Sequence, residues 1–182
     1  LVSTEIIEKC KRNEQRAYKQ CYEACAPYVY AIVKNYINED ERKDAMQVVF
    51  AQIFSSLHNY DARKGAFKSW ISQVTVYQCI GILRKRKKLN LFVPFDDSHK
   101  LVSTDEEKLL TQMSSEDLNN FLSEMPTGYK TVFMLNIIDG YTHKEIAKLL
   151  DISAETSRSQ LSRAIGWIRK NLLEATKNLV YG

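Results

Sequence analysis

Only six glycines and three prolines punctuate this 182-residue chain, and that scarcity constrains the fold more than any other feature. Glycine and proline supply most tight turns, so a chain this poor in them is ill suited to a multi-stranded sandwich or to a Gly-rich phosphate-binding α/β enzyme. Abundant Lys, Glu, Leu, Ile, Gln and Ala favour long helices joined by few loops. The expected fold class is all-α. The length suits one domain or two small ones, each with a modest core of its own.

The remaining composition is that of an ordinary soluble chain: 45% hydrophobic, 26% charged, and 26 Lys+Arg against 22 Asp+Glu for a net charge of +4. From Leu1 to Gln15 charges interleave with single apolar residues, without the unbroken apolar core of a signal peptide. The most apolar run, Val132 to Ile138, is interrupted by Asn136 and falls far short of the roughly 20 residues that span a membrane. A cytoplasmic protein is expected. Cys10 and Cys79 are isolated, Cys21 and Cys25 are spaced for one helix face rather than for a C-x-x-C clamp, and His58, His99 and His143 are scattered. Reduced, mostly buried thiols are therefore expected, and no metal site.

Helical periodicity runs from Glu14 through Ile37, with Pro27 placed to kink or split the helix. A second amphipathic segment, Glu41 to Leu57, aligns Ala45, Val48, Val49, Gln52 and Ile53 and starts with acidic residues. After a turn around Asn59 to Gly65, a third helix is expected from about Phe67 to Arg86, ending in the unbroken basic run Arg84-Lys85-Arg86-Lys87-Lys88. Cations suit a helix C-terminus, but five in succession exceed what the helix dipole calls for. Near Leu89 the apolar period dissolves into a locally acidic stretch containing Pro94, Asp96-Asp97 and Asp105-Glu106-Glu107, read as a flexible linker over 90–114 between domains 1–89 and 115–182.

In the second domain Met125-Pro126-Thr127 reads as a helix break, with Pro126 suited to the first turn of the next helix, and Asp139-Gly140-Tyr141 as a stop. Thr142 and Glu145 have the spacing of a capping box. Ser153 is placed to cap a following helix whose expected core face is Leu161, Ile165, Ile168 and Leu172. A short helix, a tight turn and a longer helix make a helix-turn-helix.

The second helix of that motif enters the major groove, where residues near its N-terminus meet base edges. Off the expected core face lie Thr156, Ser157, Arg158, Ser159, Gln160, Ser162 and Arg163. Arginine forks onto guanine, glutamine pairs with adenine, and small hydroxyls let backbone approach phosphate. The plain alternative is a solvated face of a helical hairpin. The run from Arg84 to Lys88 reads equally as a phosphate contact or as a solvated helix end. Trp70 and Tyr77, two turns apart on the same helix and upstream of that charge, add the aromatic component that holds unstacked bases, although for Trp70 core packing is the stronger reading. No phosphate loop, H-E-x-x-H, nucleophile elbow or paired carboxylate beside a histidine is present. Enzyme activity, cofactors and a small-molecule substrate are not expected.

With these segments in view, the chain from Asn13 to Leu173 resembles the extracytoplasmic-function (ECF) group of bacterial RNA polymerase sigma factors. Asn13-Glu14-Gln15-Arg16-Ala17-Tyr18 is similar to the family's opening helix and Asp44-Ala45-Met46-Gln47 to its polymerase-docking helix. The segment from Phe67-Lys68-Ser69-Trp70-Ile71 through Leu83-Arg84-Lys85-Arg86 is similar to its promoter-melting helix. Lys144-Glu145-Ile146-Ala147 and Thr156-Ser157-Arg158-Ser159-Gln160-Leu161-Ser162-Arg163-Ala164 resemble the reader of the upstream element.

The resemblance implies docking on core RNA polymerase through Asp44 and Gln47, and capture of the melted −10 element by Trp70, Tyr77, Arg84, Lys85 and Arg86. It implies duplex reading of the −35 element by Arg158 and Arg163, supported by Thr156, Ser159, Gln160 and Ser162. An anti-sigma factor, often membrane-bound, is the further partner it implies. The chain departs from the family pattern at Val48, where a Glu is usual; at Tyr77, where an Asn is usual in the loop that holds a flipped base; and at Gly81, where Asp is common. Two rival readings stay open: a helix-turn-helix regulator acting without polymerase, and a sigma-like interaction module that has lost promoter reading.

Overall fold

A computed structural model of the protein describes residues 2–85, 122 and 124–181, with side chains through Asn171. The chain divides into two compact units, Leu1–Lys87 and Lys88–Gly182. Their described residues form seven α-helices, two short 3₁₀ turns, one π-helical turn and no strand, so the all-α expectation holds. The expected linker over 90–114 lies outside the described residues, as do Arg86, Lys87 and Lys88.

The first unit contains α1 (Thr4–Lys11), α2 (Gln15–Tyr36), α3 (Arg42–Ser56) and α4 (Phe67–Lys85). Helices α2, α3 and α4 pack pairwise, and α1 lies against α2. The charge-interleaved N-terminus is thus a helix, which the apolar pattern had not indicated. Its determinants are local: the Ser3 hydroxyl accepts from the Ile6 N–H at 3.4 Å, Glu5 pairs with Lys9 at 2.7 Å, and Ile7 and Cys10 are buried.

Helix α2 runs unbroken through Pro27. Pro27 and Glu23 are both exposed, so the carbonyl of Glu23, which loses its helical donor, faces solvent where water can satisfy it. The buried face is Ala17, Cys21, Cys25, Val29, Ile32, Val33 and Tyr36. All four cysteines are free and buried. Burial, reinforced by the neighbouring Cys21, pushes the Cys10 thiol up to about 11, which keeps it protonated and unreactive at neutral pH.

Helix α3 buries Ala45, Val49, Phe50 and Ile53, whereas Val48 (46% exposed) and Gln52 face solvent. The expected stripe was therefore too wide: Val48 and Gln52 belong to the outer face. Helix α4 buries Phe67, Ile71, Thr75, Val76, Cys79, Ile80 and Leu83, and Thr75 is accommodated because its hydroxyl donates to the Ile71 carbonyl at 2.8 Å. Gly81 lies inside this helix, and a Cβ built on it meets nothing within 4 Å. Replacing Gly81 by Ala removes backbone freedom from the unfolded chain without a clash. It is expected to stabilise the first unit by about 1 kcal/mol, raising its melting temperature by about 4–8 °C in a calorimetric scan.

The second unit contains α5 (Thr127–Phe133), a π-helical turn (Met134–Ile138), α6 (His143–Leu150) and α7 (Ala154–Tyr181). Helix α7 packs on both α5 and α6. Pro126 stands at the N-cap of α5, one residue before the first turn. Gly140, at φ 75°, supplies the left-handed residue in the stop before α6. The capping box forms as the sequence indicated: the Glu145 N–H donates to the Thr142 hydroxyl at 3.3 Å, and the Thr142 N–H donates to the Glu145 carboxylate at 2.8 Å. Asp151 closes α6 in the left-handed conformation (φ 58°), and the Ser153 hydroxyl accepts from the Thr156 N–H at 2.9 Å to open α7.

Candidate nucleic-acid and polymerase interfaces

The α6–turn–α7 segment is a helix-turn-helix, and its second helix carries the outward residues. Arg158 is exposed; Thr156, Ser159, Ser162 and Arg163 are half-buried. At about 100° per residue, all five lie in the half-turn or so opposite Ser157. Ser157 itself is buried (0% exposed), as is Gln160 (1%), which corrects the sequence expectation that both sit on the outer face. The inward row of α7 is Ser157, Gln160, Ala164, Ile165 and Ile168, with Leu161 only half-buried. For Ser157 the physical reason is a polar partner: its Oγ lies 2.8 Å from His143 Nδ1, on the first residue of α6. Periodicity counts apolar residues and cannot see a hydroxyl that is satisfied by a side chain fourteen positions away.

Electrostatically, this end of the unit combines a surface pair with three shifted groups. Arg158 meets Glu155 at 3.2 Å across one helical turn. Burial first, then the positive charge of Arg158, hold the His143 imidazole below its ordinary 6.5. Hydrogen bonds from the Thr142 hydroxyl and N–H lower the Glu145 carboxyl, and the Glu155 carboxyl is lowered by its own N–H and by Ser153 and Arg158. All three groups have folded values below their unfolded ones. Each therefore contributes stability that is present above the unfolded value and lost as pH falls toward the folded one. The thermal stability of the second unit is expected to fall on acidification in two steps, the first beginning near 6.5 with His143 and the second near 4.5 with the two glutamates. An NMR titration of the His143 ring with a midpoint at or above 6.5 would contradict the first step.

In the first unit, Trp70, Tyr77 and Arg84 follow one another at seven-residue steps along α4, within about 20° of the same azimuth per step and over about 21 Å. Tyr77 (47% exposed), Arg84 and Lys85 face solvent; Arg86 lies outside the described residues. Trp70 is half-buried, stacked on Phe67 (centroids 5.7 Å, 17° between planes) and 5.6 Å from Tyr60. Both earlier readings of Trp70 therefore meet in one side chain: one part packs, the rest remains accessible. Sequence reasoning missed Tyr60 and Phe67 as its supports, although an aromatic cluster at positions 60, 67 and 70 was visible.

Tyr77 sits in the middle of an unbroken helix and not in a loop, which corrects the placement implied by the resemblance. The open turn of this unit lies before α4. There the Tyr60 hydroxyl donates to the Gly65 carbonyl at 3.1 Å, and the Asp61 carboxylate accepts from the backbone and guanidinium of Arg63 at 2.9–3.0 Å.

On α3, Asp44, Gln47, Val48 and Ala51 are all exposed and recur at helical spacing, forming a continuous outer face of mixed character. Among the described residues no group of three or more His, Cys, Asp or Glu side chains is placed to hold a metal ion. No helix among them is long and apolar enough to cross a membrane.

A helical unit with an aromatic and cationic row, together with a second unit presenting an arginine-bearing helix-turn-helix, defines a nucleic-acid-binding protein. The comparisons specify which kind. The family model for sigma-70 region 2 matches residues 21–89, and that for sigma-70 region 4 matches residues 115–168. The RNA polymerase sigma factor SigV of Bacillus subtilis (strain 168) is 28% identical over 144 residues, covering 79% of this chain and 83% of SigV. The ECF RNA polymerase sigma factor SigE of Mycolicibacterium smegmatis is 24% identical over 138 residues, covering 74% of this chain and 53% of SigE. A solved structure, CnrH in complex with the cytosolic domain of CnrY, matches at 18% identity and a TM-score of 0.48, covering 93% of this chain and 96% of that one. The two family matches together take up more than half of the chain, in order and on the units described above. The chain belongs to the ECF group of RNA polymerase sigma factors.

Proposed function

We propose that this protein docks on core RNA polymerase through the outer face of α3, with Asp44 and Gln47 as its polar contacts. The domain spanning 1–89 captures the melted −10 element with Trp70, Tyr77, Arg84 and Lys85 of α4, and with Arg86 next in sequence. The domain spanning 115–182 reads the −35 element as duplex with Thr156, Arg158, Ser159, Ser162 and Arg163, while buried Gln160 supports the helix from behind. Residues 90–114 link the two. No covalent step is involved: extruding bases costs a few kcal/mol, which stacking and phosphate contacts offset. The protein acts in the cytoplasm, where polymerase and promoter are. An anti-sigma factor, as family membership implies, would restrain it by clamping both domains.

The observation that carries this reading is the presence in one chain of both modules, each with its nucleic-acid face outward: the exposed Tyr77–Arg84 row on α4 and the exposed Arg158 on α7. The test is run-off transcription with core polymerase, the full-length protein and a pool of randomised promoters. Initiation from an enriched pair of elements is expected. Tight binding to core without initiation would instead establish an interaction module, and duplex binding without core affinity a simple regulator.

A further inference from the structure

The first two turns of α7 carry three of the five outward residues assigned to the −35 element, Thr156, Arg158 and Ser159, yet residues 154–161 bury fully only Ser157 and Gln160, both polar. The apolar anchors of this helix, Ile165 and Ile168, come two to three turns later. Apolar packing is non-directional and, at that distance, fixes the rotation of the N-terminal turns poorly. What fixes it there is a directional contact. His143 Nδ1 meets Ser157 Oγ at 2.8 Å and joins the first residue of α6 to the fourth of α7 across the turn. Ser157 is completely buried, so its hydroxyl has no solvent alternative, and unmaking the bond leaves a buried polar group unsatisfied.

We propose that His143 is a positioning residue for −35 recognition: through Ser157 it sets the azimuth at which the first two turns of α7 present Thr156, Arg158 and Ser159. The neighbours on either side of Ser157, Thr156 and Arg158, are about 100° away around the helix, so any rotation at Ser157 carries directly to them. The neutral imidazole holds one proton and one lone pair, and the Ser157 hydroxyl complements either tautomer at Nδ1. This inference rests on the reading of α7 as the −35 reader.

Asparagine places a polar δ atom where histidine has Nδ1, whereas glutamine places its polar group at the position of Nε2. His143→Asn therefore retains the latch and His143→Gln removes it, at similar polarity and size. The experiment repeats the randomised-promoter run-off selection with full-length wild type, His143→Asn, His143→Gln, Ser157→Ala and the double variant His143→Gln/Ser157→Ala, and records a thermal melt of each. His143→Gln and Ser157→Ala are expected to lower −35 discrimination by about fivefold. His143→Asn is expected to restore it, and the double variant to be no worse than the poorer single one, with −10 preference unchanged throughout. Equal −35 discrimination in all five proteins overturns the proposal. So does equal loss in the Asn and Gln variants, which would mark His143 as packing alone. If wild type itself enriches a −10 element and no −35 element, the reading of α7 fails and the proposal falls with it.

Discussion

Replacing Arg158 and Arg163 together by alanine is expected to erase selection of the upstream element while leaving core-polymerase binding and −10 preference intact. Arg158 is free to act because its present partner is cheap to leave: the contact to Glu155 is an i,i+3 surface pair at 3.2 Å with both side chains more than half exposed. Such pairs contribute little to stability in water. A guanidinium that forks onto a guanine edge discriminates by about 1–3 kcal/mol, so losing two such contacts amounts to roughly a hundredfold or more. Arg158 is exposed and outside the buried row of α7, so its loss should change the stability of the second unit little, and a thermal melt of the double variant accounts for half-buried Arg163. A salt titration separates the two ways an arginine can contribute. If both contact phosphate, the slope of log affinity against log salt flattens by about two units; if both read bases, affinity falls with the slope largely unchanged. Upstream selection equal to wild type would remove these residues from the interface.

Much of this architecture is legible in the sequence because its signals are local. The capping box needs only Thr142 and Glu145, three positions apart, and the structure forms it in both directions. The shortage of Gly and Pro, with the apolar rows of α2 and α4, leads to the helical fold on the same local grounds. Features that rest on a distant partner are not legible in this way. Ser157 and Gln160 look like surface residues until α5 and α6 are packed on α7, and for Ser157 the partner is His143 in particular. The helix at the N-terminus escapes the apolar count because only Ile7 and Cys10 of its eight residues are buried, and its cap and ion pairs supply the rest. The outer face of α3 shows the converse error. Val48 is apolar and in helical register with the core, so pattern alone sends it inward, yet the structure gives it to the same outer face as Asp44 and Gln47.

Tyr77→Ala is expected to lower initiation by about tenfold or more with no measurable change in melting temperature, and Tyr77→Phe to retain wild-type activity. Tyr77 is 47% exposed at the centre of α4, so its ring supports little of the fold. A base stacked on an aromatic side chain is worth about 1–3 kcal/mol by alanine substitution, and stacking needs the ring and not the hydroxyl. The phenylalanine variant therefore decides the mechanism. If it matches wild type, Tyr77 holds a base by its face; if it falls with alanine, the hydroxyl reads a base edge, as the asparagine usual at this position would through its amide.

Trp70 provides the contrast, because its ring is shared between Phe67, Tyr60 and solvent. Trp70→Ala should lower both initiation and the melting temperature of the first unit, whereas Tyr77→Ala separates them. Run-off transcription beside a thermal melt for the three variants checks this. A Tyr77→Ala protein that initiates normally would confine base capture to the Trp70 end of the row, leaving Arg84 and Lys85 to track the backbone alone.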